Sequence, residues 1–268
     1  LETIGAPPTD FSAIVSVGFG SDSNAYRAPS DTYDDLSVDP PATVDPVEQS
    51  GGYVPVRLVA RYTNPLSSRL QLVAGYRHRG DYYMDSVLGN ADETDHRLRV
   101  GLLRYLGDRR SETRQFEAAL ELRSNAETNF DRDDGLDRFD DGASIADRFD
   151  FNAVGAEFAL KNRLGDTRYE VEGGYSVRDY EDVPTASSYD LNSIWARGAL
   201  KLPLGDRSRV EVAYGFHLRS FDERRSRDLT GDASTDNPTL EYRYQLVALG
   251  IRHRFTERLV SEFTYSYT

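Results

Sequence analysis

Eleven times along this 268-residue chain, a stretch of about ten residues alternates apolar and polar side chains and then breaks into a turn. In one stretch Val210, Val212, Tyr214, Phe216 and Leu218 fall on one side, and Glu211, Ala213, Gly215, His217 and Arg219 on the other. Successive side chains of an extended chain leave it on opposite sides, so each stretch reads as a strand with one apolar and one polar face. The breaks alternate too. Short turns such as Leu164-Gly165-Asp166 and Leu204-Gly205-Asp206-Arg207 are followed by long Asp-rich loops. Gly-Asp between alternating runs is a hairpin signal, which makes neighbouring strands antiparallel.

Strands of this kind, joined in turn by short and long connections, are the pattern of an outer-membrane barrel, where lipid meets only every second residue. The expected fold is all-β: an antiparallel up-and-down transmembrane β-barrel of about twelve strands over residues 10–268, after an extended N-terminal segment at 1–9, in a bacterial outer membrane. The competing fold is a soluble sandwich or solenoid. Its strands are usually shorter, and its connections do not sort into short and long sets.

The bulk composition, 38% hydrophobic and 29% charged, resembles a soluble protein. No run approaches the ~20 apolar residues of a spanning helix, but a half-apolar strand escapes that test. Seventeen Tyr against one Trp and one Met suit a β-rich wall with aromatic belts. A net charge of −13 argues against nucleic acid as a partner. With no cysteine there is no disulfide framework and no thiolate nucleophile or metal ligand. No leader opens the chain at Leu1, so it reads as mature or trimmed.

Strand one runs from Asp10 to Gly20, with Phe11, Ala13, Val15, Val17 and Phe19 on one face. The last strand ends at Thr268. Single-chain bacterial barrels have an even number of strands. Eleven visible strands therefore predict a twelfth outside this segment, unless one element is miscounted. The phase of strand ten, which starts with Tyr242, Tyr244 and Leu246, is lost near residues 247–251.

The inward faces divide by sign. Strands two to four supply a basic wall of Arg57, Arg61, Arg77, Arg97 and Arg99, and strands five to seven an acidic wall of Glu117, Glu121, Glu157, Glu170 and Glu172. Beyond them lie Arg197, Lys201, Glu211, Arg219 and Glu262. Charged walls around water select what passes. The same residues could instead be ion pairs that fill a narrow interior. Width decides between the two: about eight strands leave an interior filled by side chains, and sixteen to eighteen leave an aqueous channel.

Other chemistry is sparse. Asp131, Asp133, Asp134 and Asp137 lie in the most acidic loop, and clustered carboxylates suit Ca²⁺. Their spacing does not fit an EF-hand, and a plain solvated loop explains them as well. No other cofactor is expected. His78, His96, His217 and His253 fall on four different strands, and no zinc-protease or nucleophile-elbow motif is present. His217 near Asp222 is the one local pair a rim protease could use, and the chain reads as a non-enzyme. Phe19, Tyr76, Tyr175, Phe216, Tyr242 and Tyr265 mark an outer aromatic belt, and Tyr62, Phe116 and Tyr169 an inner one.

The opening Val17-Gly18-Phe19-Gly20-Ser21-Asp22-Ser23-Asn24-Ala25-Tyr26-Arg27-Ala28 resembles the Gly-x-x-x-Asp-Ser-Asn first strand of a broad group of outer-membrane barrels. The group includes the β-barrel porin 2 family of capsule and exopolysaccharide gene clusters. Similar first strands occur in surface lipoprotein assembly modifier barrels, whose periplasmic helical repeats this chain lacks. Tyr76-Arg77-His78-Arg79 before an Asp/Tyr loop also looks like the porin 2 group. The resemblance implies a passive channel or export conduit for exopolysaccharide, with no catalytic residues to carry over. Expected partners are outer-membrane lipid and lipopolysaccharide, an anionic polysaccharide, and a protein partner. The alternative is a structural or adhesive barrel with a closed lumen.

Overall fold

A computed structural model describes residues 9–26, 31–35, 40, 42–46, 48–106, 114–128, 139–140, 142–181, 189–226, 236–256 and 260–267. The long strands are β1 (Asp10–Val17), β2 (Gly51–Pro65), β3 (Leu70–Tyr83), β4 (Glu93–Tyr105), β5 (Gln115–Glu127), β6 (Phe151–Leu164), β7 (Thr167–Tyr180), β8 (Leu191–Leu204), β9 (Ser208–Arg225), β10 (Thr239–Arg254) and β11 (Val260–Tyr267). Each pairs antiparallel with its neighbour in chain order, forming one up-and-down sheet.

The sheet contains twelve strands because the short segment Gly20–Asp22 also pairs with β2. Val17 stands opposite Val56 and Gly20 opposite Tyr53. The segment therefore continues the line of β1 in unbroken register and is not a return strand. β1 and β11 are the two edges, and among the described residues nothing pairs with their outer sides.

The hairpins follow their turn chemistry. Leu164 pairs with Thr167 around Gly165-Asp166, and Leu204 with Ser208 around Gly205-Asp206-Arg207. Gly165 and Gly205 take the left-handed φ values of 60° and 68° that such turns require. At the other end of the sheet, an aspartate immediately precedes three strands. Asp92 accepts the Tyr83 N–H at 2.6 Å, Asp150 the Glu127 N–H at 2.7 Å and Asp190 the Tyr180 N–H at 2.7 Å. Each carboxylate satisfies the last amide of one strand at the start of another.

A small cluster covers this end beside β2 and β3. Ala25 and Tyr26 bury against Leu88 and Ala91 of the 3₁₀ turn Ser86–Ala91, with Tyr83 packed alongside. The Tyr26 hydroxyl donates to the Val87 carbonyl at 2.7 Å. Asp22 accepts the Asn24 N–H at 2.9 Å and the Tyr83 hydroxyl at 3.2 Å. The Asp22-Ser23-Asn24 stretch thus ties the end of the first strand line to the loop above β3.

Burial is inverted relative to a water-soluble sheet. From β4 to β11 one face is apolar and open. Leu98, Val100, Leu120 (65% exposed), Val154, Tyr175, Ile194, Val212, Leu249 and Phe263 all lie on it. The buried residues Val73, Leu103, Ala119, Ser193, Ala199 and Ala213 lie on the opposite, charged face. The register settles strand ten: Tyr242 stands opposite Arg219 and Val247 opposite Tyr214. Tyr242, Tyr244 and Leu246 therefore share the charged face, while Val247, Leu249 and Ile251 share the apolar one. This corrects the placement of Tyr242 in an outer belt. Alternation cannot phase the run Leu246-Val247-Ala248-Leu249, which is apolar at every position.

Candidate functional site: the charged face of the sheet

Parity along each strand brings Arg57, Arg61, Arg77, Arg97, Arg99, Glu117, Glu121, Glu157, Glu170 and Glu172 to one face. The two signs do not stand apart as separate walls. Arg97 on β4 pairs with Glu121 on β5 and extends past it to Glu157 on β6, with Nη2 at 3.0 Å from Oε1. Arg99 pairs with Glu117 and with the other oxygen of Glu157, at 3.1 Å. Glu157 therefore bridges two arginines, and the basic and acidic sets neutralise each other along the β4–β6 seam.

A second network lies on β7 to β9. Arg197 donates to Glu172 at 3.2 Å and to Glu211 at 3.3 Å, and Lys201 to Glu170 at 3.0 Å. Closer to the long loops, Asp81 accepts from both Arg57 (3.1 Å) and Arg79 (3.3 Å), and Asp95 pairs with Arg123. Asp81 and Asp95 were missed as members of this face. Both sit an even number of residues from Arg77 and Arg97, so parity alone would have found them.

The ion pairs leave some cations over. Arg61, Arg77 and Lys161 make no ion pair with any described residue. They line, with Arg97, Arg99 and Glu117, a cavity of about 610 Å³ on the charged face. Gln71, Tyr105 and Gln115 add hydrogen-bonding groups. The site is chemically an anion-attracting recess with exchangeable polar contacts.

Histidines that the sequence scatters are partly gathered by the register. His78 stands opposite His96, their ring centroids 4.5 Å apart, on the apolar face near the long-loop end. The Tyr76 hydroxyl lies 2.8 Å from His96 Nδ1. The pairing was invisible because it depends on the offset between two strands.

His217 does not join Asp222. Its Nε2 lies 2.6 Å from the Ser193 hydroxyl, whereas Asp222 accepts from the Asn192 amide at 2.9 Å. The one local pair that a rim protease could use is therefore not assembled. Asp131, Asp133, Asp134 and Asp137 lie outside the described residues, and among the described ones no group of three or more ligating side chains could hold a metal. Comparison of the chain with protein-family models, with curated proteins and with solved structures returns no match.

Proposed function

We propose that this chain is the wall of a bacterial outer-membrane β-barrel and serves as a passive conduit for anionic solute, with an acidic exopolysaccharide as the substrate class. The observation that carries the reading is the inverted burial: large apolar side chains stand open on one face from β4 to β11, and paired charges are sheltered on the other. Water-soluble monomers rarely expose apolar patches beyond a few hundred Å². Burying each large side chain would contribute about 1.5–3 kcal/mol, a gain that this sheet forgoes in water and recovers in hydrocarbon. A bilayer leaves no sheet edge unpaired, so in the inserted state β1 and β11 meet each other or a further strand.

Arg61, Arg77 and Lys161 would attract an anion without a rigid carboxylate competitor, and neighbouring Glu117 would limit its residence. The likeness of the first strand to the porin 2 group agrees with this. Single-channel recording in planar bilayers tests the reading. Anion-selective current is expected, with selectivity reduced in an Arg61→Gln, Arg77→Gln double variant. A silent bilayer containing correctly inserted protein would overturn conduction.

One observation favours a second reading, a structural or adhesive barrel with a closed lumen. The Arg97–Glu157 and Arg99–Glu157 pairs reach across β5 and occupy the space above it. A silent bilayer would leave that reading, with lipopolysaccharide or a protein as the contact.

A further inference from the structure

At the short-turn edge of the charged face, on the strands β6 to β10, lies a cavity of about 410 Å³ lined by six arginines. They are Arg163, Arg168, Arg207, Arg209, Arg252 and Arg254, accompanied by Asp166 and Asp206. Arg163 is held by Asp166 at 2.6 Å. Among the residues whose side chains are described, which do not include Glu262, the other five arginines have no ion-pair partner. This concentration of positive charge occurs in a chain whose net charge is −13.

The register makes the arrangement costly. Arg168 stands opposite Arg163 on one side and Lys201 on the other, and Arg209 stands opposite Arg252. Like charges directly opposite across strands destabilise a sheet. At two other places the molecule sets carboxylates among such pairs. Arg57 and Arg79 are opposed and share Asp81, and Arg97 and Arg123, also opposed, are held by Glu121 and Asp95. Here the nearby acids are Asp166, Asp206, Glu262 opposite Arg252, and Glu170 and Glu211, two residues along from Arg168 and Arg209, which hold Lys201 and Arg197. Even together they leave the arginines in excess.

We infer that this edge cavity is a binding site for a compact, multiply charged phosphate-type oxyanion, of which a diphosphate is the best match. Guanidinium forks bind phosphate oxygens in bidentate fashion, and several of them around one recess neutralise more than the single charge of a carboxylate. A cavity of this volume lies within the range of small-ligand sites. The site is separate from the recess at Arg61 and Arg77, and it does not depend on conduction.

The test is calorimetric titration of the full chain in neutral detergent with inorganic pyrophosphate, at about 0.15 M salt so that long-range attraction is screened. Saturable binding is expected, weakened roughly tenfold for each guanidinium removed in Arg168→Gln and in Arg209→Gln with Arg252→Gln. It is expected to persist in Arg61→Gln with Arg77→Gln. Glucuronate, with one carboxylate, should bind far more weakly. Adding phosphatidylglycerol to the micelles separates two sources: competition with pyrophosphate points to a lipid headgroup, and no competition to a soluble phosphate. No saturable binding by correctly folded protein, or equal binding by all the variants, would overturn the assignment.

Discussion

Arg97 on β4 reaches beyond β5 to Glu157 on β6, closing at 3.0 Å a pair between strands that share no backbone hydrogen bond. Glu157 also holds Arg99, so one carboxylate ties β6 to β4 at two points across the intervening strand on the charged face. The Glu157 side chain is 18% exposed and that of Arg97 30%, placing the pair between surface and interior.

Glu157→Gln should therefore destabilise the sheet by about 1–2 kcal/mol, more than an exposed pair and less than a fully buried one. Arg97 and Arg99 keep Glu121 and Glu117, which limits the loss. A double-mutant cycle with Arg97→Gln, read from urea midpoints in detergent, should give a favourable coupling energy. Additive effects would mean that the bridge contributes nothing.

Asp150 gives a pH prediction outside the strands. Burial pushes its carboxyl above its ordinary value near 3.8, and Asp147 and Glu181 push it the same way, while the Glu127 N–H opposes them. A raised folded value means that the folded state binds more protons in the window above 3.8. Stability thus falls as pH rises through that window, and at neutral pH the full penalty applies. Asp150→Asn keeps an acceptor for Glu127 and loses the charge. It should raise the unfolding midpoint at pH 7, and the gain should shrink as the buffer is acidified down toward pH 3.8 and vanish below it. A gain independent of pH would contradict this origin.

The two faces should respond oppositely to charge. Leu120→Arg places a guanidinium on the apolar face and should cost about 2–4 kcal/mol of stability in vesicles if Leu120 sits near the midplane. Arg61→Gln, on the charged face without an ion-pair partner, should change stability by less than about 0.5 kcal/mol. Urea unfolding from lipid vesicles measures both.

Gly174 should tolerate no side chain. A Cβ there would stand 2.8 Å from Trp195 Nε1 and 2.9 Å from the Ala156 carbonyl oxygen. Gly174→Val should displace the indole and shift its emission as well as lower stability. An unchanged spectrum would place Trp195 elsewhere.

Much of this was legible in the sequence. Alternation marked the eleven long strands, and Gly165-Asp166 and Gly205-Asp206 marked hairpins, because both signals are local. Alternation also put each candidate Arg and Glu on its face. It did not show which Arg meets which Glu, or that His78 meets His96, because those contacts depend on the offset between strands. That offset also set the phase of β10, where both faces are apolar. Asp92, Asp150 and Asp190 went unread, although each directly precedes a strand.

The assignment of faces is tested most directly by the chain's single tryptophan. Trp195 stands opposite Gly174 and His217 on the charged face, while its neighbour Ile194 lies on the apolar face. In vesicles whose acyl chains carry bromine, the native emission should be little quenched. Combining Ile194→Trp with Trp195→Phe should give strong quenching. If Trp195 is quenched as strongly as the tryptophan of that variant, or if neither is quenched, the apolar face is not the lipid-facing one.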